Sequence, residues 1–141
     1  PPRSTLFPYT TLFRSIVEDD ENNRIVIERL LKIFKVQNEN LFVFDHDPLP
    51  QLVSVKRSFD IVFLDIQIPD KDGFSILKEL LEDFRFAECK IIALTANVMK
   101  QDIVKYRNAG FHGFIPKPID AYSLKETIES ILKGSYSWKF D

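Results

Sequence analysis

The chain has 141 residues, 45% hydrophobic and 28% charged, enough for one domain with a buried core and too few for two. A formal net charge of −2 argues against a dedicated nucleic-acid surface, and no apolar run approaches the roughly 18 residues of a membrane span. The single cysteine, Cys89, forms no internal disulfide and suits a reducing, cytoplasmic setting, while the start lacks the basic-then-apolar pattern of a signal peptide.

Two kinds of apolar run alternate from Ile16 onward. Ile16 and Val17 form the stub of a first strand, followed by Glu18, Asp19 and Asp20, the last placed to cap a helix. That helix carries the stripe Ile27, Leu30, Leu31 and Phe34 at i, i+3, i+4, i+7. A strand is predicted over 41–44, then a helix over 49–58 that starts near Leu49, because Pro48 and Pro50 are tolerated only in a first turn. A strand over 61–64 precedes a helix with the stripe Leu77, Leu80, Leu81 and Phe84. A strand over 91–94 leads to a helix over 101–109, and a strand over 111–115 to a last helix. Leu124, Ile128, Ile131 and Leu132 mark its buried stripe, and Gly134 its C-cap. The tail, 135–141, reads as loosely packed, with Trp138 a chance aromatic rather than an anchor. Short strands alternating with helices predict an α/β fold with a parallel sheet of five strands and five helices. Near-continuous apolar strands such as IVFL and IIAL suit a sheet covered on both faces.

Ligands of such a sheet bind beyond the C-terminal ends of its strands, so the residue after each apolar run carries the interest. The first strand delivers Glu18, Asp19 and Asp20, the third Asp65, the fourth Thr95 and the fifth Lys117. Asp45, His46 and Asp47 follow the second strand, expected at a sheet edge. Carboxylates gathered at one sheet end repel one another unless a cation sits among them. Magnesium fits best, a hard ion held by one or two carboxylates, waters and phosphate oxygens. No Cys/His cluster points to zinc, since His46 and His112 belong to different elements. Magnesium, a carboxylate, a hydroxyl and a lysine together make a phosphoryl-transfer constellation, with Asp65 as the acceptor that forms an acyl phosphate.

Four segments, IVEDDENNR (16–24), DIVFLDIQIPDKDG (60–73), IIALTAN (91–97) and NAGFHGFIPKP (108–118), are similar to the receiver domain of two-component response regulators. The resemblance implies a doubly wound, flavodoxin-like sheet of five parallel strands with five helices over 16–133. It implies a phosphoryl group taken onto Asp65 from a histidine kinase or histidine phosphotransfer protein. By the same resemblance Glu18, Asp19 and Asp65 hold Mg2+ with the Gln67 backbone carbonyl, Thr95 is the switch hydroxyl and Lys117 senses the phosphate. Phe114 takes the switch-aromatic position, without a hydroxyl to donate, and the Lys117–Pro118 bond matches a cis peptide. Gln67 and Asn97 flank the approach of hydrolytic water and are neither acids nor bases. The implied output face is the fourth helix, fifth strand and fifth helix, including Ile103, Tyr106 and Phe114; its partner is unnamed by the sequence, and direct nucleic-acid binding is not expected.

Residues 1–15 are similar to something else: a one-frame translation of a common short-read sequencing adapter. They are therefore expected to be non-native, with native sequence beginning at Ile16 and extending upstream in the natural protein as part of a longer regulator or hybrid kinase. Arg14 and Ser15 then stand where a central strand should be buried, and an unpartnered buried arginine is costly, so a regular first strand is not expected there. Two rival functions differ in class. An aspartyl-nucleophile phosphatase of the dehalogenase-like kind needs a second Asp two residues after the nucleophile, where this chain has Gln67. A phosphorylation-independent docking receiver would not need the complete set of site residues.

Overall fold

The computed structural model describes residues 14–17, 20–33, 41–44, 59–67 and 72–138. In chain order these form β1 (Arg14–Val17), α1 (Glu21–Ile33), β2 (Leu41–Phe44), β3 (Ile61–Asp65) and α2 (Gly73–Leu81). A 3-10 turn (Phe84–Phe86), β4 (Lys90–Thr95), α3 (Lys100–Ala109), β5 (Gly113–Pro116) and α4 (Ala121–Lys133) follow. The helix predicted over 49–58 lies outside the described residues, so α3 and α4 here are the fourth and fifth helices of the sequence-based order.

The strands pair in the order β2-β1-β3-β4-β5, all in parallel. This puts β2 at an edge, as expected, and β3 in the middle. Side chains on a strand alternate between faces, and two cores follow from that. Ile61 and Phe63 of β3, with Ile92, Leu94 and Ile115, pack against α1 and α4. Val62 and Leu64, with Ile91 and Ala93, pack against α2 and an aromatic group that includes Phe59, Phe86, Tyr106 and Phe111. Each such aliphatic side chain, fully buried, stabilises the fold by about 1.5–3 kcal/mol.

The helix starts follow one local chemistry. Asp20 accepts the Asn23 N–H at 3.1 Å, Asp72 the Ser75 N–H at 2.9 Å and Asp120 the Ser123 N–H at 2.8 Å, each satisfying an amide that the helix cannot. Gly110 and Gly134 end α3 and α4 in the left-handed conformation.

Four expectations are corrected. Arg14 and Ser15 do not interrupt β1: residues 14–17 pair in turn with β2 on one side and β3 on the other, because the ladder uses backbone groups that every non-proline residue supplies. Phe84 is not on a buried stripe; it is 87% exposed. Helix α2 has already ended, and Asp83, which accepts the Arg85 N–H at 2.9 Å and meets its guanidinium at 2.6 Å, starts a tight turn. That turn sends Phe86 inward instead, stacked on Phe59 at 5.4 Å. The fifth strand begins at Gly113, two residues later than predicted, since Phe111 and His112 serve the connection from α3. The tail through Trp138 is packed rather than loose: Trp138 stacks on Phe114 at 6.1 Å and the Phe114 N–H donates to the Tyr136 hydroxyl at 3.3 Å.

Candidate functional site

Three of the predicted residues stand at the C-terminal ends of adjacent strands. Asp65 closes β3 and Thr95 closes β4. Lys117 follows β5 directly. Backbone bonds lace these ends together, with Ile66 N–H donating to Leu94 O at 3.2 Å and Lys117 N–H to Thr95 O at 2.8 Å. The Lys117–Pro118 peptide is cis.

Asp65 and Thr95 are buried polar side chains, 3% and 4% exposed, and burial of such groups is tolerated only with partners. The Lys117 ammonium lies 3.1 Å from Asp65 Oδ2, and the Gln67 N–H donates to Oδ1 at 3.0 Å. One carboxylate thus faces a cation and an amide donor, an arrangement that favours negative charge there and would equally neutralise oxygens added to it. Thr95 Oγ1 accepts the Asn97 N–H at 2.9 Å and lies 2.8 Å from the Tyr106 hydroxyl. That phenol, in turn, donates to Asn97 O at 2.8 Å. Burial raises the Tyr106 pKa, so the phenol keeps its proton.

Gly73 explains how α2 reaches this end of the sheet. A Cβ there would sit 2.6 Å from Asp65 O and 2.8 Å from Ile66 Cα, and the bare backbone instead allows Gly73 N–H to donate to Ile66 O at 2.8 Å. The sequence reading missed this residue, although its place in the DKDG segment carried the signal.

Phe114 is half-buried on β5, between Tyr106 at 6.4 Å and Trp138 at 6.1 Å. Ile103 and Tyr106, expected on an output surface, are 4% and 3% exposed and belong to the interior. Their helix, α3, turns them toward the sheet. Ile103 and Tyr106 thus lie inside rather than on the expected surface, and the partner of the Tyr106 hydroxyl across the chain carries no local sequence signal. Cys89 is buried, and burial pushes its thiol pKa far up, which leaves it a packing residue.

Glu18 and Asp19 lie outside the described residues. Val17, which ends β1, pairs with Leu64, one residue before Asp65. Among the described residues no three acidic, His or Cys side chains gather. The donors that are described, the Asp65 carboxylate and backbone carbonyl oxygens at this end, are hard oxygen ligands. They suit magnesium rather than zinc.

No helix among the described residues is long and apolar enough to cross a membrane. The response regulator receiver domain profile matches residues 15–129. The chain is 35% identical over 123 residues to hybrid signal transduction histidine kinase L of Dictyostelium discoideum, covering 84% of this chain and 7% of that protein. It is 31% identical over 127 residues to the osmosensing histidine protein kinase SLN1 of Saccharomyces cerevisiae, covering 88% of this chain and 10% of that one. Against chemotaxis protein CheY-3 of Vibrio cholerae it is 29% identical over 118 residues, covering 84% of this chain and 89% of the other. The chain thus spans a small part of the kinases and most of the chemotaxis protein. Among solved structures, the receiver domain of a Pseudomonas aeruginosa sensor histidine kinase, with magnesium coordinated in its active-site cleft, superposes with TM-score 0.73 at 23% identity over 86% of this chain and 98% of that one. Chemotaxis regulator CheY4 of Vibrio cholerae does so with TM-score 0.74 at 18% identity over 86% and 99%.

Proposed function

The chain belongs to the response regulator receiver domain family, and from that premise we propose that it takes a phosphoryl group onto Asp65 from a phosphohistidine donor and changes its binding surface in response. The observation that carries this reading is the buried Asp65 carboxylate with Lys117 Nζ at 3.1 Å. An Asp65 oxygen attacks phosphorus, the P–O bond forms as the P–N bond to the donor imidazole breaks, and the imidazole leaves with the bonding pair. Lys117 and the Gln67 N–H balance charge around the transferring group, and Thr95 donates to one of its oxygens. Glu18, Asp19, Asp65 and the Gln67 carbonyl are the residues that would hold Mg2+, which supplies neutralisation of the phosphoryl charge when bound. Hydrolysis of the acyl phosphate is intrinsic, its rate set by geometry rather than by a general base, since neither Gln67 nor Asn97 is one. The donor is a histidine kinase or histidine phosphotransfer protein, in keeping with the kinases among the relatives.

The same reading assigns the five-helix, doubly wound receiver topology and a cytoplasmic location. It keeps 16–133 as the domain and residues 1–15 as adapter-derived, and expects no direct nucleic-acid contact. The responding surface is α3, β5 and α4. In support, β5 is a sheet edge, and a groove of about 320 Å³ beside it is lined by Phe114, Pro116, Glu126, Thr127 and Tyr136 among others.

Incubation with acetyl phosphate and magnesium, read by intact mass, tests the chemistry. One phosphoryl adduct is expected on the wild-type chain and none on Asp65→Asn or after chelation of the metal. An equal adduct on Asp65→Asn, or turnover of generic phosphate esters, would overturn the assignment.

A further inference from the structure

Resting on the reading of Asp65 as phosphoacceptor and Thr95 as the hydroxyl that meets the phosphoryl group, we propose that Tyr106 is a positioning residue whose phenol oxygen holds the Thr95 proton away from that group in the unmodified protein. The argument is a proton count. Thr95 Oγ1, Tyr106 OH and Asn97 O form a triangle with sides of 2.8, 2.8 and 3.3 Å. The carbonyl oxygen brings no proton, so two hydroxyl protons serve three contacts. The Tyr106 proton goes to Asn97 O at 2.8 Å. The other short side, between the two hydroxyls, then takes the Thr95 proton, with Tyr106 as acceptor. The Asn97 N–H occupies a lone pair of Thr95 Oγ1 at 2.9 Å and leaves this assignment unchanged. A hydroxyl has one proton to give, and in this state that of Thr95 is committed to Tyr106. A phosphoryl oxygen on Asp65 must compete for it.

The phenol is held firmly enough to act this way. Its ring packs against Phe74 at 6.1 Å, Phe111 at 6.3 Å and Phe114 at 6.4 Å, so the oxygen cannot follow Thr95 without moving the aromatic group. Phe114 lacks a hydroxyl and cannot take part in the exchange. The oxygen that answers Thr95 comes instead from α3.

The test measures magnesium-dependent binding of beryllofluoride, a mimic of a carboxylate-bound phosphoryl group, by calorimetry on the full chain. Tyr106→Phe keeps the ring and removes the nearer competing oxygen, leaving Asn97 O at 3.3 Å as the longer, weaker acceptor for Thr95; Asn97, exposed, recovers its lost donor from water. Net loss of one neutral hydrogen bond on the free side corresponds to beryllofluoride binding tighter by about fivefold. In a Thr95→Val background the same change should have no effect, because the competed-for proton is gone. Unchanged or weaker binding in Tyr106→Phe, or an undiminished effect in Thr95→Val, overturns the proposal while leaving Asp65 as acceptor. Failure of the wild-type chain to bind, or equal binding by Asp65→Asn, overturns the phosphoacceptor reading and this proposal with it.

Discussion

Among the described residues, one face of the sheet is lined mainly by aliphatic side chains, Ile61, Ile92, Leu94, Ile115, Leu124 and Ile128 among them, with Phe63 the one ring in its buried cluster. The other gathers Phe59, Phe86, Tyr106 and Phe111, with Phe74, Phe114 and Trp138 at its margin. The site residues divide along the same line. By strand alternation Asp65 continues the row of Ile61 and Phe63, and Lys117 that of Ile115, whereas Thr95 continues the row of Ile91 and Ala93. The charge pair therefore grows out of the aliphatic layer, and its two members meet at the sheet end, with Lys117 Nζ 3.1 Å from Asp65 Oδ2. Thr95 grows out of the aromatic layer and finds a phenol there. Under the proposed function, the difference teaches that the acceptor carboxylate and the hydroxyl that reads it out belong to opposite faces and meet where the strands end.

Truncations in the two layers sharpen this comparison. Phe86→Ala should cost about 3–5 kcal/mol and Ile92→Ala about 2–5 kcal/mol in chemical denaturation. Equal stability loss with unequal effect on beryllofluoride affinity, larger for the aromatic face, is the expected pattern; equal effects on both would break the division. Next in size, Gly73→Ala forces a Cβ against the Asp65 and Ile66 backbone, which cannot swing aside like a side-chain tip. We expect a loss of about 1–3 kcal/mol, measured by the same denaturation, together with slower phosphoryl uptake because the strand end that carries Asp65 must shift.

The smallest expected effect concerns pH. His112 Nδ1 accepts the Ile91 N–H at 3.0 Å, and burial, then the neighbouring Lys90 charge, lowers its pKa from the ordinary 6.5. The unfolded chain binds this proton more readily than the folded one, so its contribution is complete above about pH 6.5 and is lost as pH falls through the lowered value. Melting temperature should drop over that window in the wild type and less steeply in His112→Asn. Identical slopes would remove His112 from the acid response.

Much of the site was legible because strands such as IVFL and IIAL are so uniformly apolar that the next polar residue stands out. Asp65, Thr95 and Lys117 follow from that contrast and from the rule that parallel strands deliver ligands at one end. The Asp20 cap and the Gly134 C-cap are likewise local chemistry, readable from a few residues. What failed depended on distant partners. Phe84 fits a helical stripe until Asp83 and Arg85 form a turn that ends the helix. Trp138 has meaning only once Phe114 is seen beneath it. Tyr106 belongs to a helix with a weak apolar stripe, and the atoms that define its role lie on Thr95 and Asn97, nine or more residues back along the chain. The acidic pair Glu18 and Asp19 was equally conspicuous in the sequence, and its position lies outside the described residues.

Site mapping tests the central claim most directly. After treatment with acetyl phosphate and magnesium, borohydride reduces an aspartyl phosphate to homoserine, and peptide mass spectrometry locates the change. The account predicts homoserine at position 65 alone, dependent on both donor and metal. Modification at another carboxylate with Asp65 intact, or none with a folded chain, would contradict it.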